Sequence, residues 1–286
     1  MGLRRHRLGA SFAGATFRYG GLTAIAILIL LPLAFAFFGS FKSLKELLTE
    51  GSTLLPAEWH LTNYTEALTK ARFGRYFINS LTVASIVVVF DVIAASMAGY
   101  ALARLRVPGR RAIEGVLAAS ILLGFGTATL YPRLVIAQWF GIVNLLGIAL
   151  VQLSGLMVVH VLIARAFCGS LPNELEEAAR VDGCGPFKAF WYIMFPLMRP
   201  IAGTIGILAF QASWNGFQVP LVFTLFSPEM RTVTVGVYAL GAAVEGTREY
   251  GQLLAGAMIA ILPLVLMFFI LQPYLVRGLT QGAVKG

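Results

Sequence analysis

Six apolar runs, at about residues 20–41, 77–103, 112–131, 142–164, 200–226 and 253–275, constrain this 286-residue chain more than any other feature. About 20 apolar residues cross the hydrocarbon core as one helix, so the runs predict six membrane spans. Composition agrees, with 58% hydrophobic and 12% charged residues, far from an ordinary soluble domain. The expected fold is all-α: a polytopic domain over residues 20–276, a cytoplasmic segment 1–19, and a cytoplasmic tail 277–286. No length remains for a large soluble module.

Cations flank the runs and set their orientation. Arg4, Arg5, Arg7 and Arg18 precede the first run, and Arg104, Arg106, Arg110 and Arg111 crowd the short link after the second. Such clusters stay in the cytoplasm, so both termini are expected inside. A cleavable signal peptide competes for the first run, but the run is long and is followed by Ser40-Phe41-Lys42 rather than a small-x-small exit. Residues 42–75 read as a polar outer loop with a short helix near Asn63 to Lys70. The formal charge of +9 serves topology; a nucleic-acid surface would gather basic residues with interleaved aromatics on one face.

Between the fourth and fifth runs lies the longest strongly polar interval, Leu171 to Pro200. Pro172 suits a helix first turn, and Glu174, Glu176 and Glu177 place acid near a helix N-terminus. Asp182-Gly183 supplies a turn, and Gly185-Pro186 lets a second helix begin. Leu175, Ala178, Ala179 and Asp182 are spaced to share one stripe, with Glu177 at its border. A short-sided helix with one acid fits a groove on another protein; an amphipathic loop in the headgroup zone is the alternative.

Glu177-Ala178-Ala179, then Gly183, then Ile193, Phe195 and Pro196, resemble the EAA loop of type I ABC importer permeases, departing only in Phe195 for Leu. Asn79-Ser80-Leu81, Ala101-Leu102-Ala103-Arg104, Trp214-Asn215 and the closing residues 278–286 are similar to the carbohydrate-uptake, maltose-type branch. The resemblance implies that Glu177, Ala178, Ala179, Asp182 and Gly183 contact a cytoplasmic ATPase. It further implies a heterodimer with a second permease subunit, two ATPase subunits holding ATP and Mg, an external solute-binding protein, a small-molecule carbohydrate substrate, and a place in a bacterial or archaeal cytoplasmic membrane. The family usually has an acid or amide after Trp-Asn, where this chain has Gly216, so that side chain's role does not carry over.

The chain carries no catalytic motif of its own. It lacks G-x-x-x-x-G-K-[ST] and H-E-x-x-H, while His6, His60 and His160 are scattered and Cys168 and Cys184 form no metal-ligand or redox pattern. The chain is therefore expected to be a non-enzyme subunit with no cofactor of its own.

The candidates for a substrate path lie in the spans. Asp91 sits near the middle of the second run, where a lone charge costs about 2.5–3.5 kcal/mol on insertion scales, so it must face protein or water. It is either a path acid or a hydrogen-bonded structural acid, and in a proton-coupled secondary carrier it would be the relay. Gln211, Trp214, Asn215 and Gln218 would share a helix face as a polar stripe with one aromatic surface, suited to a sugar; packing between helices is the alternative. Asn79 joins these candidates. In the outer loop 227–252, Glu245, Arg248, Glu249 and Tyr250 are candidates for contact with the binding protein, as the resemblance implies, or for simple solvation.

Overall fold

The computed structural model describes residues 12–49, 53–69, 71–122, 126–242 and 250–283, and every regular element among them is helical. The long elements are α1 (Phe12–Gly39), α4 (Phe73–Arg104), α7 (Leu145–Ser170), α11 (Arg199–Trp214) and α14 (Tyr250–Ala283). Shorter helices are α2 (Leu44–Thr49), α3 (Thr62–Thr69), α5 (Arg110–Leu122), α6 (Leu130–Trp139), α8 (Glu174–Val181), α9 (Pro186–Ala189), α10 (Phe195–Leu197), α12 (Gln218–Phe223) and α13 (Val233–Gly241). By length and composition, three helices among the described residues can cross a membrane singly, and up to six spans result if each bent helix pair is one.

The bent pairs are where simple apolar runs mislead. The expected span 112–131 is instead α5 followed by a 113° change of direction into the short helices over Gly126–Trp139. The fourth span begins at Leu145, where the Asn144 side chain accepts the Gly147 N–H at 3.1 Å and caps the helix, and it bends by 54° near Leu156. The fifth, α11, meets Pro186–Leu197 at 80°, and that preceding segment includes a π-helical turn over Phe190–Met194.

α4 and α7 form the centre. A Cβ on Gly99 would lie 2.5 Å from Ala164 Cβ and 2.7 Å from the Arg165 nitrogen, so only glycine permits this approach. Val83, Val87, Ile148, Ala149 and Ala209 fill one half of the core; Tyr100, Ala164, Cys168, Phe190, Met194, Met198 and Ile205 fill the other. An Arg110–Glu114–Arg165 cluster ties α5 to α7, at 2.7 and 3.0 Å. By contrast α1 buries none of its apolar window and rests on α14. Its exposed Leu28 and Ile29 suit a lipid-facing helix.

The segment expected as a polar loop at 42–75 is more ordered than its composition suggests. Lys42 is buried and its Nζ donates to Thr53 Oγ1 at 2.8 Å, while Asn63 Nδ2 donates to the carbonyls of Ser40 and Lys42, both at 2.9 Å. Phe41 packs on Trp59 and Tyr64. Buried partners for the polar groups explain the difference, because a satisfied lysine or asparagine need not face water.

Candidate functional site

The polar elbow is built from the end of α7 outward. The Arg104 guanidinium donates to the last α7 carbonyls, with Nε 3.0 Å and Nη2 2.7 Å from Cys168 O, and also to Leu171 O and the Asn173 side chain. A cation on those orphan carbonyls matches the helix dipole and fixes where α8 leaves the bundle. The helix starts at Glu174 rather than at Pro172 and carries Glu174, Glu176 and Glu177 in its first turn. It ends in a Schellman motif: Cys184 N–H donates to Ala179 O at 2.8 Å and Gly183 N–H to Arg180 O at 3.0 Å. Gly183 takes φ +73°, a conformation that a Cβ disfavours.

The exposed face of α8 differs from the expected stripe. Ala179 and Glu176 turn inward, with Glu176 paired to Arg180 at 3.1 Å, and Leu175 is half-buried. Glu177, Ala178 and Asp182 face outward with Val181, which is 88% exposed. Ala179 therefore supports the elbow from inside instead of presenting a surface. The reason is register: positions 176 and 179 share the face over Tyr100 and Arg104, where they line a cavity or the core beside it.

The intramembrane candidates separate. Asn79 is buried and its Nδ2 donates to Glu229 O at 2.8 Å and Arg231 O at 3.0 Å, while Ser80 Oγ accepts the Val233 N–H at 2.9 Å. This pair staples the segment before α13 to α4 and is not free to line a path. Asp91 is fully buried and its Oδ2 is hydrogen-bonded to His160 Nδ1 across α4 and α7. Asp91 is thus one half of an interhelical clasp, while its Oδ1 is buried without a hydrogen-bond partner among the described residues. His160 is the residue that sequence reasoning missed; a lone His and a lone Asp in two apolar runs were the signal.

The expected stripe breaks after Trp214, because α11 ends there and α12 starts at Gln218. Gln211, Asn215 and Gln218 are exposed, but Trp214 is buried. Its ring stacks on Phe210 with 5.4 Å between centroids, and its Nε1 donates to Ala260 O at 2.9 Å. No aromatic face is left for a ligand there. At Gly216, a Cβ would meet Gln152 Nε2 at 2.4 Å and Ser213 O at 2.9 Å. The Gln152 amide from α7 thus occupies the space that a side chain at 216 would need. Tyr250 opens α14 half-buried, while Glu245, Arg248 and Glu249 lie outside the described residues.

Residues 76–281 match the family described as the binding-protein-dependent transport system inner membrane component. The chain belongs to that family. Similar relatives include the arabinooligosaccharides transport system permease protein AraQ of Halalkalibacterium halodurans, 33% identical over 93% of this chain and 95% of the relative. The trehalose/maltose transport system permease protein MalG of Thermococcus litoralis is 31% identical, again over 93% and 95%. The diacetylchitobiose uptake system permease protein NgcG of Streptomyces coelicolor is 29% identical over 91% and 85%. A bacterial ABC transporter that imports the acidic polysaccharide alginate has a chain of the same fold, with TM-score 0.80 and 22% identity over 95% of this chain and 99% of that one. The inner membrane component is thus a multi-pass transporter subunit of an ABC importer, and the family gives no support to a proton-coupled carrier.

Proposed function

We propose that this chain is a permease subunit of an ATP-driven importer for a sugar or sugar-like solute, lining half of the translocation path. The permeases AraQ and MalG, aligned over nearly their whole length with this chain, support the carbohydrate reading. The observation that carries the mechanism is the elbow: a capped helix held away from the bundle, with Glu177, Ala178, Val181 and Asp182 facing out. A cytoplasmic ATPase grips this face, and ATP and Mg reside in two such partners. The second permease subunit completes the path, an external binding protein delivers the solute, and both termini lie in the cytoplasm. The polytopic domain spans residues 20–276, between cytoplasmic segments 1–19 and 277–286.

ATPase closure pushes α8, and the rigid connection through Arg104, α9 and the π-turn passes the motion to α11. Only a difference in ATPase affinity for two elbow positions moves the gate. In the path, Gln211, Asn215 and Gln218 remain as polar wall residues. The test is to purify the complex with its partner chains and measure ATP hydrolysis with loaded binding protein. Sugar-dependent stimulation is the expected result; copurification without an ATPase, or sugar-independent hydrolysis in every case, overturns the reading.

A further inference from the structure

α7 bends between Gly155 and Met157, and α11 stops at Trp214 before α12 begins at Gln218. Residues at both places line two cavities, of about 770 and 270 Å³, that share Gln218 and Val219. Ser120, on the wall of the larger cavity, lies roughly 15 Å along α5 from Arg110, and Ser154 lies roughly 14 Å along α7 from Leu145, at 1.5 Å per residue. Arg110 and Leu145 sit at opposite ends of the bundle, which puts the cavities near mid-depth. Backbone that leaves the helix is tolerated there when it lines a cavity.

The lining has specific chemistry. Gln152 is 9% exposed, and its Oε1 accepts the Ser213 hydroxyl at 2.6 Å, which fixes the amide. Its Nε2 is buried with no hydrogen-bond partner among the described residues, and Gln152 lines the smaller cavity with Phe217 and Gln218. In the larger cavity Ser154 donates to Val151 O at 2.8 Å, leaving its oxygen free to accept. Arg133, half-buried on the same wall, has no ion pair or hydrogen bond among the described residues, and neither Asp nor Glu lines either cavity. A guanidinium on a cavity wall that carries no acid suits an anion from outside the chain, and its fork matches a carboxylate or phosphate.

We propose that the larger cavity holds an anionic sugar, its acidic group on Arg133 and its ring hydroxyls on Ser154 and Gln218. The inference rests on the sugar-import reading and narrows its substrate class. The test is uptake by the complete complex in proteoliposomes, with a uronic-acid disaccharide, a hexose phosphate and the neutral disaccharide as probes. Wild type carries one of the anionic probes at least about tenfold faster than the neutral one, by the factor that a single charged contact supplies; which anionic probe moves separates carboxylate from phosphate. Arg133→Gln brings that ratio close to one, and Arg133→Lys keeps part of it. Because the ratio is taken within each variant, reduced assembly does not mimic the effect. Preference of wild type for the neutral sugar, or an unchanged ratio in Arg133→Gln, overturns the anionic site while leaving sugar import standing. Transport of none of the three by an ATP-hydrolysing complex overturns both.

Discussion

The elbow and the Gln211–Gln218 stripe are both short polar intervals, yet one kept its local design and the other did not. At α8 the helix, its acidic first turn and its glycine stop are all encoded within a dozen residues, and the caps close on themselves through Ala179, Arg180, Gly183 and Cys184. At the stripe, the same helical spacing requires α11 to continue through Asn215 and Gly216, and it does not. Gln152 reaches in from α7 and Ser213 holds it, so a side chain from distant sequence decides the local path. Short-range hydrogen bonds make a motif readable; a helix that ends inside the bundle hands its register to its neighbours.

Substitutions test this contrast most strongly at Trp214. Replacing it with Ala removes a fully packed ring with its hydrogen bond to Ala260 O, and a loss of about 3–5 kcal/mol is expected, read as a lower melting temperature of the purified complex. Gln211→Ala in the same helix, at an exposed position, should stay within about 0.5 kcal/mol. Equal effects would mean that Trp214 does belong to an open stripe.

Next comes the clasp. Asp91→Asn weakens the bond to buried His160, and the expected destabilisation is about 1–3 kcal/mol. Replacing both residues by Leu should recover much of that loss, because an apolar pair of similar volume often equals a buried polar one. A double variant less stable than Asp91→Asn would show that the polar pair itself is required.

Gly216 gives a sharper handle. Gly216→Asn restores the kind of side chain the family usually carries there, but its Cβ meets Gln152 Nε2 at 2.4 Å. Overpacking of this kind typically costs about 1–3 kcal/mol. Adding Gln152→Ala should relieve it, and a double-mutant cycle measures the coupling. Additive effects would break the link drawn here between α7 and the end of α11. A smaller effect than at Trp214 is expected at the elbow turn: Gly183→Ala, at φ +73°, should cost about 1–2 kcal/mol and act on coupling more than on the bundle.

What could be read from the sequence follows the same division. The apolar runs, the helical class and the elbow with its Asp182-Gly183 stop needed only composition, caps and spacing. The inward turn of Ala179, the pairing of Asp91 with His160 and the burial of Asn79 depended on which helices touch, and α4 touches α7 closely only because of Gly99 and Ala164. The bends near Leu122 and Leu156 fall inside apolar runs that look continuous, since hydropathy measures lipid affinity and not direction. Arg133 shares a cavity wall with Ser154 and Gln218, a grouping set by how the helices bend and not by spacing along the chain.

The most direct test of the account is charge reversal on the exposed face of α8. With Glu177→Lys, the protein should still reach the membrane and assemble with its companion permease, while ATPase copurification and sugar accumulation fall to background. Wild-type accumulation with the ATPase still bound would contradict the assignment of this helix as the coupling element.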